Sequence, residues 1–316
     1  MDAKIDLERV ADALFKDPKQ RGRIARDYGI SDQFGTAGEF VDRLVKALDQ
    51  APVADPLTRE NLSPRRVYRA AVMALGSNSR KWAAFLRQEE ALSRKLHGYD
   101  PEKLSVSDIH VEELLPYFPG LTCTKDAKAV VNWLARLKSR DFSEELVACT
   151  QAVENAWAHS FSNSGDGLKL AHRMPVLSVF MSQPQILSEA YAFLSESGVE
   201  RSASALKLPG MGPTLASEFF RNLGWSGFKP DRHVRRLLER WLSSAQRARF
   251  DEEVRDMALM LGWGGNNEVE DFLRYSIAGL SVTPDEVPYS RVDNLVWLLG
   301  AYVEKKNRES EERYLL

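Results

Sequence analysis

Cysteine is scarce: the 316-residue chain holds two, Cys123 and Cys149. Two thiols are too few for an all-cysteine zinc site or a four-cysteine iron–sulfur cluster. The histidines (His97, His110, His159, His172, His233) lie at no metal-type spacing. Long apolar runs are missing too, and none approaches the roughly 20 residues of a membrane-spanning helix. The start, MDAKIDLERVADALF, is charged and amphipathic, unlike a secretory signal peptide. A reducing cytoplasm and no membrane partner are therefore expected. Convincing alternating strands are absent, which argues against β architectures. Net charge is also small, a formal −2, so the average composition points to no polyanionic partner.

What is present is helical periodicity. RVADALF, EFVDRLVKAL, RAAVMAL, WAAFLRQEEAL, KAVVNWLARL, EAYAFLSE and NLVWLLGAYVEKK place apolar residues at three- and four-residue steps. The pattern predicts an all-α protein. Breaks fall at residues 51–64, 97–105 and 160–167, where Gly, Pro, Ser, Asn and Asp cluster. Hydrophobic residues make up 44% and charged residues 28%, enough apolar material for one large core or two modest ones.

One stretch departs from bland helix. Leu208 to Trp241 reads LPGMGPTLASEFFRNLGWSGFKPDRHVRRLLERW. Glycine tolerates positive φ and close approach of another molecule, and Pro213 suits a first helical position. Free amides at the following helix start would favour an anion such as phosphate. Asp231 then precedes a second helix whose apolar stripe is Val234, Leu237, Leu238 and Trp241, with Arg232, Arg236 and Arg240 on another face. Between Arg201 and Arg249 stand ten Lys or Arg against three acids, a local excess that suits a polyanion. Read alone, PGMG is a helix–helix turn and Asp231 an ordinary cap.

Together, LPGMGPTLA and KPDRHVRRLL resemble the helix–hairpin–helix superfamily of DNA glycosylases. There LPGVGxxTA forms the hairpin, and a V/P-D-x-H-V-x-R segment carries the catalytic aspartate. RAAVMALGSNSRKWAAFLRQEEAL (69–92) is similar to the family's early helix, turn and next helix. VEELLPYFPGLTCTKDAKAVVNWLARL (111–137) is similar to its later helix pair, with Lys125 and Lys128 at the usual place. On this reading 1–65 is an N-terminal helical region and 66–139 the first part of the core. Residues 140–197 form a helical insertion, 198–283 the hairpin and catalytic segment, and 284–316 a C-terminal helix and tail. The sequence departs from the family at three points. Thr214 stands where lyase-type members carry lysine, Asn78 replaces the early glutamine, and the C-terminal cysteine cluster is missing. These departures make the monofunctional alkylpurine branch the nearer comparison.

The resemblance implies two helical subdomains with a DNA-binding cleft between them. It implies an enzyme that flips a damaged or modified base out of double-stranded DNA and hydrolyses its N-glycosidic bond, leaving an abasic site. Asp231 would stabilise the sugar cation and orient water, kept ionised by its basic neighbours and the helix start. Lys207, Pro209, Gly210, Met211, Gly212, Thr214, Arg232 and Arg235 would contact DNA, with Met211 serving as packing or a backbone spacer. Asn78 would fill the gap left by the flipped base or bond the orphaned partner, or else simply cap the next helix, and Trp82, Trp225, Trp263 and Tyr275 are stacking candidates. Lys207 and Lys229 are close enough in sequence to substitute for the missing lyase amine. No cofactor is implied, save a monovalent cation at the hairpin. A monomer is expected, in the cytoplasm or, in a bacterium, with the nucleoid. Two other readings stay open: a non-catalytic protein that grips the DNA backbone through the hairpin, and an all-α interaction scaffold.

Overall fold

The computed structural model describes residues 3–48, 62–78, 82–161, 172–183, 206–260, 265–304 and 314–315. In chain order the helices are α1 (Leu7–Phe15), α2 (Pro18–Tyr28), α3 (Ala37–Leu48), α4 (Pro64–Gly76) and α5 (Trp82–Lys95). A short α6 (Val111–Leu114) precedes α7 (Cys123–Leu137), α8 (Arg140–Phe161) and α9 (Arg173–Ser182). Then come α10 (Pro213–Asn222), α11 (Arg232–Trp241), α12 (Ser244–Met260), α13 (Asn267–Val282) and α14 (Tyr289–Leu298). Among the described residues there is no strand, only an isolated bridge between Ile5 and Leu315. The protein is all-α, as its periodicity predicts. No described helix is long and apolar enough to cross a membrane.

Local chemistry starts these helices. Asp6, Asp17, Ser63 and Asn266 each accept a hydrogen bond from an amide in the first turn of α1, α2, α4 and α13. Each such cap contributes about 1 kcal/mol by satisfying a donor the helix cannot. Pro18 and Pro64 occupy first-turn positions, where a missing N–H costs nothing.

The chain divides into two compact units. The first comprises residues 1–52, 226–259 and 264–316. Here α1 packs on α3 and α14, and α11 packs on α13 and α14. Val10, Leu14, Phe40 and Leu44 are fully buried in this unit, as are Val234, Leu237 and Val292. The Ile5 amide donates to the Val282 carbonyl at 2.8 Å and the Asp6 amide to that of Tyr314 at 2.9 Å. Helices α1 to α3 are thus part of the core that carries α11, not an appendage to it. After α14 the pattern NLVWLLGAYVEKK widens into a π turn at Leu299–Val303 rather than continuing as α-helix. There Gly300 comes so close to α11 that a Cβ would stand 3.0 Å from that of His233.

The second unit comprises residues 53–225 and 260–263. In it α10 lies against α4 and α9, and α7 lies against α4 and α8. Helix α9 is buried almost all round, from Met174 to Ser182, so this part of the 140–197 stretch is core. The expected helix EAYAFLSE lies outside the described residues. The boundary after Trp225 falls within the 198–283 stretch, so the glycine turn belongs to one unit and Asp231 to the other.

Candidate functional site

The glycine turn begins at Leu208, which is fully buried and whose carbonyl accepts from the Met211 amide at 3.0 Å. Gly210, exposed at the tip, has φ 82, in the region that favours glycine. Gly212 precedes α10, with Pro213 in its first turn. The Gly212 carbonyl accepts from the amides of Leu215 at 3.1 Å and Ala216 at 2.9 Å. The amides of Gly210, Gly212 and Thr214 have no acceptor among the described residues. They are available to water or an anion at the positive end of a helix. The Met211 side chain is fully buried, so the DNA-contact role expected of it reduces to its part in shaping the turn.

Helix α7 holds the turn from behind. Trp133 Nε1 donates to the Pro209 carbonyl at 3.1 Å, and Arg136 Nη1 donates to that of Lys207. Neither residue stands out in sequence except as part of a helical pattern.

The Lys207 ammonium, expected at a DNA phosphate, donates here to the Ser182 carbonyl at the end of α9, where a cation suits a helix C-terminus. Asn78 is also engaged. Its amide donates to Asp126 Oδ1 at 3.1 Å, while Thr122 Oγ1 donates to Asp126 Oδ2 at 2.7 Å. Filling a gap in DNA would require Asn78 to leave a carboxylate that is only 2% exposed. Trp82 stacks on Phe85 at 5.4 Å, and Trp225 packs on Phe220 at 5.7 Å with the Arg173 guanidinium 5.7 Å from its ring. Both are half-buried; Trp263 lies outside the described residues. Sequence reasoning passed over Leu121, at the turn before α7, which is 99% exposed. It stands two residues before α7, at the end opposite Trp133 and Arg136, as a single exposed apolar side chain.

In the other unit, the loop into α11 is anchored before Asp231 is reached. Phe228 is fully buried, and the Lys229 amide donates to Asp293 Oδ1 at 3.0 Å. Asp231 Oδ1 accepts from the amides of His233 at 2.7 Å and Val234 at 3.1 Å. This is the cap expected from sequence. Oδ2 takes no hydrogen bond among the described residues, and the residue is half-exposed. One oxygen is fixed and the other is open.

The arginines of α11 divide. Arg232 is exposed, with Nε donating to His233 Nε2 at 3.3 Å. Arg235 Nε donates to the Pro230 carbonyl at 2.7 Å, and its guanidinium lies 5.8 Å from the centre of the Tyr275 ring. Arg236 donates to the carbonyls of Gly300 at 2.7 Å and Glu304 at 2.6 Å, and Arg240 pairs with Glu304 at 3.2 Å. Arg236 and Arg240 are therefore clasps on the end of the π turn rather than a face for an outside polyanion. Burial lowers the His233 pKa, against the pull of Asp231 and with the help of the Arg232 and Arg236 charges.

Compared with family models, curated proteins and solved structures, the chain matches none of them.

Proposed function

We propose that the chain is a monofunctional DNA N-glycosylase acting on a damaged or modified base in double-stranded DNA. The observation that carries this reading is Asp231 at the start of α11, with one oxygen open and Arg232 and His233 beside it in a segment that resembles the glycosylases' catalytic one; its capping geometry by itself is shared with Asp17. A structural cap needs only the first oxygen. The second, held in place by the first, suits a positive charge that forms and vanishes during reaction. When the glycosidic bond breaks, its electron pair leaves with the base and the sugar carbon becomes cationic. Asp231 stabilises that cation and takes a proton from the water that adds to the carbon. The proton that Asp231 took passes to the departing base, or to solvent where an alkylated base leaves already neutral, so the products are a free base and an abasic sugar.

The supporting parts follow from the same chemistry. The amides of Gly210, Gly212 and Thr214 bind a backbone phosphate, which positions DNA without reading its sequence. Arg232 adds charge. Leu121 acts as an apolar wedge, the kind of side chain that unstacks a base step so that a nucleotide can leave the helix. Thr214 brings no amine to the position where lyase-type members carry lysine, so strand cleavage through a Schiff base, which Lys207 or Lys229 would have to support, is not part of the proposal. Alkylated purines are the first substrates to try, on the strength of the branch the sequence resembles.

The test is base release. DNA carrying alkylated, deaminated or oxidised bases is incubated with the protein, then heated in alkali to break abasic sites. Release by the wild type and loss of about 100-fold or more in Asp231→Asn supports the enzyme. Equal activity in wild type and variant defeats it. The capping bonds of Asp231 favour a second reading, a protein that grips the DNA backbone without chemistry. That reading predicts a salt-sensitive mobility shift and no breaks.

A further inference from the structure

His233 follows Asp231 by two residues, and its ring is engaged on both sides. Nδ1 lies 3.1 Å from the Gly300 carbonyl, which can only accept, so Nδ1 carries a proton. In the neutral ring Nε2 is then a bare acceptor, and Arg232 Nε donates to it at 3.3 Å. Protonated Nε2 would instead set two donors and two positive charges against each other. Burial and the nearby Arg232 and Arg236 charges favour the neutral ring.

The ring has little freedom to leave this position. Trp297 meets it edge-on with centroids 6.3 Å apart. The π turn brings Gly300 near enough that an added Cβ would also meet Leu237 at 3.2 Å. Hydrogen bonds therefore run in one direction, from Arg232 through the imidazole to a fixed backbone carbonyl. Arg232 itself is exposed, and its two Nη groups have no partner among the described residues.

We infer that His233 is a positioning residue which, as the Nδ1–H tautomer, holds Arg232 by its Nε and presents the two Nη groups as a preset fork for a DNA phosphate. The inference rests on the DNA reading above. An arginine loses rotamer freedom when it binds, and a side chain already held loses less. Two parallel N–H groups suit a phosphate better than a point charge does.

The experiment has two arms on the full chain. Long-range nitrogen–proton spectra of protein labelled with 15N-histidine, assigned through contacts to the Trp297 ring, report the tautomer without any variant. A proton on Nδ1 is expected, and a proton on Nε2 overturns the inference. The second arm measures affinity for a duplex bearing an abasic-site analogue, across salt, for His233→Asn, Arg232→Ala and the double variant. Asparagine keeps a donor toward Gly300 and removes the distal acceptor, so thermal stability serves as its control. Each single variant is expected to bind about three- to tenfold more weakly, and the double variant no more weakly than Arg232→Ala. If His233→Asn binds like the wild type while Arg232→Ala is weaker, the fork fails and the DNA reading stands. A wild type that binds no DNA at low salt removes both.

Discussion

Gly279 of α13 has no room for a side chain, since a Cβ there would stand 2.4 Å from the Phe228 ring. Phe228 heads the loop that ends at Asp231, so the contact sets where the carboxylate begins. Gly279→Ala should destabilise the protein by about 1–3 kcal/mol in denaturant titration and lower base release beyond the loss of folded protein. Asp231 itself separates two functions by substitution. Asparagine caps a helix about as well as aspartate, whereas alanine should cost about 1 kcal/mol. A melting point kept in Asp231→Asn, with base release gone, marks the open oxygen as functional; a wild-type turnover marks it as a cap alone. His233 adds a pH dependence. Its pKa is lower in the folded chain than unfolded, so below about pH 6.5 the unfolded state binds more protons and stability falls. That fall, followed by melting between pH 7 and 5, should be smaller in His233→Asn. Residue by residue, the cap at Asp231 was legible because it depends on neighbours two and three positions away. The turn of Lys207 toward Ser182 and the grip of Arg236 on Gly300 were not, because their partners are 25 and 64 residues distant.

Elements were easier to read than side-chain directions. Pro213 and the apolar spacing after it gave the start of α10, and Pro230-Asp231 gave that of α11, because both signals are local. The π turn was hidden inside a continuous apolar pattern, whose spacing does not register the close approach of Gly300 to His233 and Leu237 of α11. The bracing of the glycine turn by α7 was hidden for the same reason. Its donors, Trp133 and Arg136, lie more than 70 residues from the carbonyls they hold. Trp133→Phe deletes one donor and leaves part of a fully buried indole's volume empty, so it should cost about 2–4 kcal/mol, most of it from the cavity because water can reach the exposed Pro209. If the turn must be rigid to bind phosphate, DNA affinity in this variant should drop more than stability does. Affinity by anisotropy set against a thermal melt decides it, and unchanged affinity would mean that the turn keeps its shape without α7.

At the scale of the whole molecule, counting charges along the chain overstated what faces outward. The basic excess between Arg201 and Arg249 includes Lys207, Arg236 and Arg240, all engaged within their own units. The division of the chain was equally hidden, because the unit that carries Asp231 is built from both ends of the sequence. Val10 and Leu14 of α1 and Phe40 and Leu44 of α3 are completely buried there. At about 1.5–3 kcal/mol for each buried side chain, the four rival the 5–15 kcal/mol that typically separates folded from unfolded domains. A fragment of residues 226–316 should therefore lack a cooperative melt, even though α11, α13 and α14 are all within it. Joining residues 1–52 to it through a short flexible linker should restore cooperative unfolding and helical circular dichroism. A sharp melt of 226–316 by itself would mean that α1 to α3 merely rest on a core complete without them, and that the ends of the chain meet for some reason other than stability.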